Sequence, residues 1–255
     1  MVITLIQSSE TMSAIMLAII NFFTSTMTAI TGMGGGMILV GLMPLFLPAA
    51  AIVPVHGATQ LASNISRAWF GRKHIDLRYF WQYFIGTMVG VAVFGVAVRF
   101  VKLDLIPLFI AIYILLTQWS KTIDRLLKSL ENFYLVGFVQ TGIGLFVGSP
   151  GPLHMPLLMK KYKDNHVIVT TGSLMLALVH FIKLVVYIFL GFAFADYWQV
   201  IVMMIASAVI GSWIGVKLRH HLPMAWLKTA LPWLLTIIAF KIIVDNMLKF
   251  GWVGF

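Results

Sequence analysis

Lys183 and His180 lie one helical turn apart inside an apolar stretch, eight residues before Gly191. A lysine at membrane depth is costly to desolvate, turns toward the protein interior and marks a ligand or ion pathway by default. The chain has eight Asp and Glu in all, and every one falls in or beside a predicted loop. Lys183 therefore has no mid-span carboxylate to pair with, and the chemistry left to it is binding of an anion. The positions 116 residues earlier hold Asn64 and Arg67, and the same offset relates Gly148 to Gly32. Arg67 is only four residues from Gly71, so a reach outward to the membrane interface is its expected role.

The second chemical feature is a pair of breaks in apolar sequence. One is Thr31-Gly32-Met33-Gly34-Gly35-Gly36 and the other is Gly148-Ser149-Pro150-Gly151-Pro152. Three glycines in a row end a helix. Non-helical backbone at membrane depth must be buried in protein or line a wet cavity. The short apolar segment after each break then begins a helix whose free N–H groups and positive dipole end attract an anion. Gly34 to Gly36 let a ligand approach bare backbone, while Pro150 and Pro152 fix φ and suit a first helical turn. The candidate binding set is Gly32, Gly34, Gly35, Gly36, Asn64, Arg67, Gly148, Ser149, Gly151, His180 and Lys183. Asn21, Thr24, Ser25, Thr28, Gln140 and Thr141 flank the breaks and are expected mainly to satisfy their own helices. Besides Lys183, the titratable groups at depth are His56, His154 and His180.

The elements that must position these residues follow from composition. Of 255 residues, 60% are hydrophobic and 10% charged, which excludes an ordinary soluble domain. Continuous apolar runs, without alternation, exclude a β-barrel. The expected fold is an all-α polytopic membrane protein. The net charge of +10 reads as loop lysines and arginines that orient the chain, with a minor contribution from anionic lipid, and not as a nucleic-acid surface. The absence of Cys excludes disulfides, thiolate catalysis and Cys-ligated metal. The first eleven residues hold no Lys, Arg or small-residue cleavage site, so no removed signal peptide is expected there.

The spacing predicts helices over about 11–30, 55–70, 80–98 and 105–118 in residues 1–119, with a turn at Pro48–Pro54. A polar connecting loop spans 120–131. Residues 132–255 repeat the plan with helices over about 132–147, 167–190, 198–216 and 227–246, and a tail whose Trp252 and Phe255 suit an interface. That makes about eight spans, each repeat starting with a glycine-broken hairpin. An offset of 120 relates Gly71, Asp76 and Gly95 to Gly191, Asp196 and Gly215. Equivalent loops differ in charge. Gly71–Arg78 carries Arg72, Lys73 and Arg78, and its counterpart Gly191–Trp198 carries none; Lys160, Lys161 and Lys163 answer an uncharged Pro48–His56. By the positive-inside rule the repeats are inverted, with both termini outside and Arg99 and Lys102 as exceptions.

The chain resembles the TauE/SafE family of sulfite exporter-like transporters. The resemblance rests on Gly32-Met-Gly-Gly-Gly-Met-Ile-Leu-Val40, the Thr59 region, Gly71-Arg-Lys-His-Ile-Asp76, the second Gly/Pro break and Gly191…Asp196, and runs from about Met12 to Asn246. It implies movement of sulfite or an organosulfur anion across the bacterial inner membrane. The second break departs from the family pattern with Ser149-Pro150 where glycines are commoner. The expected mechanism is a secondary carrier working by alternating access, with an anion channel of the same lining as the alternative. An intramembrane enzyme is disfavoured, because neither a Gly-x-Ser-x-Gly elbow nor a His-Glu-x-x-His motif occurs. The reading calls for no cofactor and no metal. Its partners are a small anionic substrate and the lipid bilayer; nucleic acid is not one, and a homodimer is left open.

Overall fold

Long apolar runs with polar breaks leave the backbone one economical solution in lipid, the helix, because it satisfies its own N–H and C=O groups. The computed structural model describes residues 2–219 and 225–249, and among them regular structure is entirely helical. The first half comprises α1 (Val2–Thr31), α2 (Gly35–Leu42), α3 (Ala49–Phe70), α4 (Phe80–Ala97) and α5 (Ile106–Trp119). A short α6 (Lys121–Lys128) leads to α7 (Phe133–Val147), α8 (Met155–Lys161), α9 (Asn165–Phe189), α10 (Trp198–Leu218) and α11 (Ala225–Lys249). The expected interface tail with Trp252 and Phe255 lies outside the described residues.

Five helices among the described residues are long and apolar enough to cross a membrane, or six if α5 and α6, bent by 88° at Ser120, count as one span. The expectation of about eight also draws on α3, which is too polar, and on α7, which has only 15 residues. Two local expectations need correction. Pro48–Pro54 is not all turn: Pro48 is extended and caps α3, which starts at Ala49 and carries Pro54 inside it. Ala51, Ile52, Val53 and Val55 around that proline are fully buried, so packing offsets the single lost helical hydrogen bond. The connecting loop is mostly helix, because Ser120 caps α6 by accepting from the Ile123 N–H, and Ile123, Leu126 and Leu127 share one face.

The helices pack as α1 on α10, α4 on α7, α5 on α11, and α3 between α9 and α10. Small residues set the approach. A Cβ on Gly211 or Gly215 of α10 would stand 2.5 Å from a backbone oxygen of α1, and one on Gly86 of α4 would stand 2.0 Å from the Tyr134 oxygen of α7. The outer surface is apolar, with Phe23, Trp81, Phe100, Phe189 and Ile237 exposed. The interior is polar: Asn21, Ser25, His56, Gln60, Asn64, Arg67, Gln140, His180 and Lys183 are all buried. The basic loops share one face. His74 meets Asp164 at 3.9 Å and stacks near His166, while the Arg219 guanidinium reaches His166 Nδ1 at 3.4 Å. Lys249 and Asp104 pair away from these loops.

Candidate functional site

Both breaks turn the chain with left-handed glycines. Gly32 and Gly34 have φ of +82° and +94°, and Gly148 and Gly151 have +81° and +70°. L-residues with a Cβ pay to enter this region and glycine does not. The first break folds straight back on α1: the Gly35 N–H donates to Thr28 Oγ1 at 3.0 Å, and a Cβ on Gly35 would stand 2.0 Å from the Thr24 oxygen. α2 begins at once. The second break stays irregular longer, and α8 starts only at Met155. Pro150 and Pro152 bring no N–H, and the Pro152 carbonyl instead closes a turn with Met155 N–H. The donors at this break thus belong to irregular backbone and not, as the sequence suggests, to a helix start.

Between the breaks lies a cavity of about 30 Å³. It is lined by Gly32, Gly34 and Gly36, by Ser149 to Pro152, by Gln60 and Asn64 from α3, and by Leu176 and His180 from α9, with Thr28, Met33 and Met37 completing it. This volume suits a water or two, so the site must widen to take a larger ion. Its chemistry is donor-rich. Among the described residues, the backbone N–H groups of Gly34, Gly36, Ser149 and Gly151 have no acceptor. Ser149 and Gln60 make no side-chain hydrogen bond there, and a Cβ on Gly36 would meet Ser149 Oγ at 3.2 Å and Gln60 Oε1 at 3.3 Å. His180 is buried with Nδ1 unpartnered. No carboxylate lines the cavity.

The structure thus gathers Gly32, Gly34, Gly36, Asn64, Ser149, Gly151 and His180 around one space, and leaves Gly35, Arg67, Gly148 and Lys183 outside its lining. Gly35 serves the tight return of the chain. Asn64 touches the cavity but its amide is engaged, donating to the Gln60 oxygen at 2.8 Å and accepting from Arg67 at 3.1 Å. Lys183 Nζ donates to the Gly148 carbonyl at 2.7 Å. Its partner within the chain is a backbone oxygen of the second break. His56 continues the link: its Nε2 lies 3.0 Å from the Gly36 carbonyl and its Nδ1 lies 3.5 Å from Lys183 Nζ. A carbonyl only accepts, so Nε2 carries the proton and Nδ1 offers its lone pair to the ammonium. One brace, Gly148–Lys183–His56–Gly36, ties the two breaks together.

Arg67 does not reach the interface. It is 1% exposed, and its guanidinium donates to Asn64 Oδ1, to Ser173 Oγ at 3.2 Å and to Ser63 Oγ at 2.9 Å. The proximity of Gly71 sets only its depth along α3; packing of α9 and α10 over that face seals it in. Gln60 also lines the cavity, outside the candidate set taken from the sequence. Its signal was the polar stripe His56, Gln60, Asn64 and Arg67, which recurs at helical spacing along one side of α3. Among the described residues no three His, Asp or Glu side chains converge as metal ligands would.

A donor-lined cavity between two broken helices, within a helix bundle whose outer surface is apolar, is the architecture of a multi-pass membrane transport protein. A family model, sulfite exporter TauE/SafE, matches residues 17–242, and the chain belongs to that family. No curated protein and no solved structure matches it.

Proposed function

We propose that this protein is a secondary transporter that moves a small sulfur oxyanion or sulfonate, sulfite foremost, across the bacterial inner membrane. The observation that carries this reading is the cavity between the breaks, where four unpaired backbone N–H groups, a hydroxyl, an amide and an imidazole meet without a carboxylate. Neutral donors compensate the desolvation of an oxyanion, yet hold it less tightly than a full ion pair, which suits a site that must also release. Lys183 adds positive potential from behind the Gly148 carbonyl and holds the second break in shape. It acts as a positioning residue.

The lining supports a two-fold origin for the site. Met33 and Ser149, Gly34 and Pro150, Gly36 and Pro152, Gln60 and Leu176, and Asn64 and His180 each stand 116 residues apart, and all ten line the one cavity. Packing is exchanged in the same sense: α1 of the first half lies on α10, and α7 of the second lies on α4. We therefore keep two inverted repeats, 1–119 and 132–255, joined through 120–131, with α3 and α7 completing about eight spans around a midplane site. A vestibule of about 270 Å³, lined by Tyr113, Asp124, Pro150, Pro156 and Leu231, borders the same breaks. A second recess of about 520 Å³ lies at Pro48 and Asp196. A constricted site with one recess directly against it and a second at Pro48 and Asp196 suits alternating access, which favours a carrier over an open channel.

Counterflow of radiolabelled sulfite into proteoliposomes tests this. Saturable uptake stimulated by sulfite on the far side is expected. Non-saturable flux without that stimulation makes the protein a channel, and no sulfite-dependent flux in either format overturns the anion reading.

A further inference from the structure

Among the described residues three buried cations have no carboxylate partner, and only Lys183 is accounted for by the midplane cavity. The other two are Arg67 on α3 and Arg219 at the end of α10, 1% and 8% exposed. Each has a fully buried N–H with no acceptor: Nε of Arg67 and Nη2 of Arg219. The remaining bonds of Arg67 go to neutral oxygens of Asn64, Ser63 and Ser173. Those of Arg219 go to the Ala29 carbonyl at 2.8 Å, on the last turn before the first break, and to His166 Nδ1. Both lean on α9: Arg67 donates to Ser173, and Arg219 reaches His166 two turns earlier on the same helix. The one carboxylate acting on them, Asp164, reaches Arg219 only through space and pairs with His74 at the surface.

Burial pushes Arg219 down to about 10, which leaves it charged at neutral pH. Two buried like charges against one helix, each with a donor left over and no paired carboxylate, call for an anion. Their position gives that anion a role. Arg67 joins the cavity through Asn64, and Arg219 joins the basic-loop face through His166.

We infer that Arg67 and Arg219 form a second oxyanion site, a stepping point between the midplane cavity and the face that bears the basic loops. It takes the same class of ligand as the cavity, a small oxyanion that accepts two guanidinium N–H donors. This rests on the anion reading of the cavity, and the two are separable by experiment.

The test is equilibrium dialysis of the full-length, detergent-purified protein against radiolabelled sulfite under anaerobic buffer. Two equivalents per chain are expected at saturation. Arg219→Gln should reduce this to one while leaving the affinity of the remaining site within about twofold. Gln60→Leu combined with Ser149→Ala should instead weaken the other equivalent by tenfold or more. A single equivalent in the unaltered protein, lost in the cavity double variant, overturns the second site and leaves the transport reading standing. Two equivalents that Arg219→Gln does not change also overturn it. A single equivalent lost with Arg219→Gln and kept by the cavity variant overturns the cavity and retains the arginine site. No bound sulfite at all overturns both. If Arg219→Gln does not fold, the stoichiometry of the unaltered protein decides, supported by Arg219→Lys, which keeps the charge and lacks the forked donors.

Discussion

The ammonium of Lys183 sits 2.7 Å from the carbonyl oxygen of Gly148, the left-handed residue at which the second helix breaks. A charged donor thus fixes the shape of a backbone turn, and through His56 it also reaches the Gly36 carbonyl of the first break. The two breaks cannot move independently while this brace holds.

Lys183→Met removes the brace and the local positive charge together. A hydrogen bond to a charged group contributes about 1.5–3 kcal/mol, so sulfite affinity should fall about 10- to 100-fold. Isothermal titration of the purified variant checks this. Unchanged affinity in a folded Lys183→Met protein would remove the lysine from any part in binding.

Gln60→Leu should separate binding from stability. The Gln60 amide is buried but makes no hydrogen bond among the described residues, so the fold loses nothing when it is replaced by an apolar group of similar size. The thermal midpoint should stay level or rise while sulfite affinity drops about tenfold. A variant that loses stability and keeps affinity would assign Gln60 to the scaffold.

Gly35 and Gly191 offer a matched pair for the two ways a glycine is required. A methyl on Gly35 would stand 2.0 Å from the Thr24 oxygen, a backbone atom that cannot move aside. Gly35→Ala should therefore cost about 3 kcal/mol or more, as an overpacked core does. Gly191 has φ +84° with open space where a Cβ would go, so Gly191→Ala should cost only about 1–2 kcal/mol. Thermal unfolding of both variants in one detergent tests the order, and equal losses would contradict it.

Ligand binding should be visible as stabilisation. At a hundredfold excess over Kd, an anion that binds only the folded state raises unfolding free energy by about 2.7 kcal/mol. Across sulfite, thiosulfate, sulfoacetate, sulfate, acetate and chloride, we expect the largest shift from a sulfur oxyanion or sulfonate and the smallest from chloride. A uniform shift with all six would indicate ionic strength, not a site.

Much of this was legible in the sequence, and the limits have physical causes. Glycine and proline act through local backbone rules, so both breaks stand where Gly32–Gly36 and Gly148–Pro152 place them. The 116-residue offset relates Asn64 to His180 in the sequence, and both line the one cavity. Which way a side chain faces is another matter. Arg67 seemed to have an exit because Gly71 was close along the chain, but burial depends on α9 and α10, which are distant in sequence. Lys183 has no acidic partner that the sequence can show; a backbone carbonyl, which no residue pattern marks, serves instead. Pro54 looked like a turn because local propensity is blind to the packing around Ile52 and Val53.

Gln60 and Leu176 occupy related positions on α3 and α9, and both border the cavity. The amide of one repeat is answered by a hydrocarbon in the other, while His180 one turn further along α9 keeps that wall partly polar. The duplication that built the pocket thus left it chemically uneven, an amide on one side and a hydrocarbon at the related position.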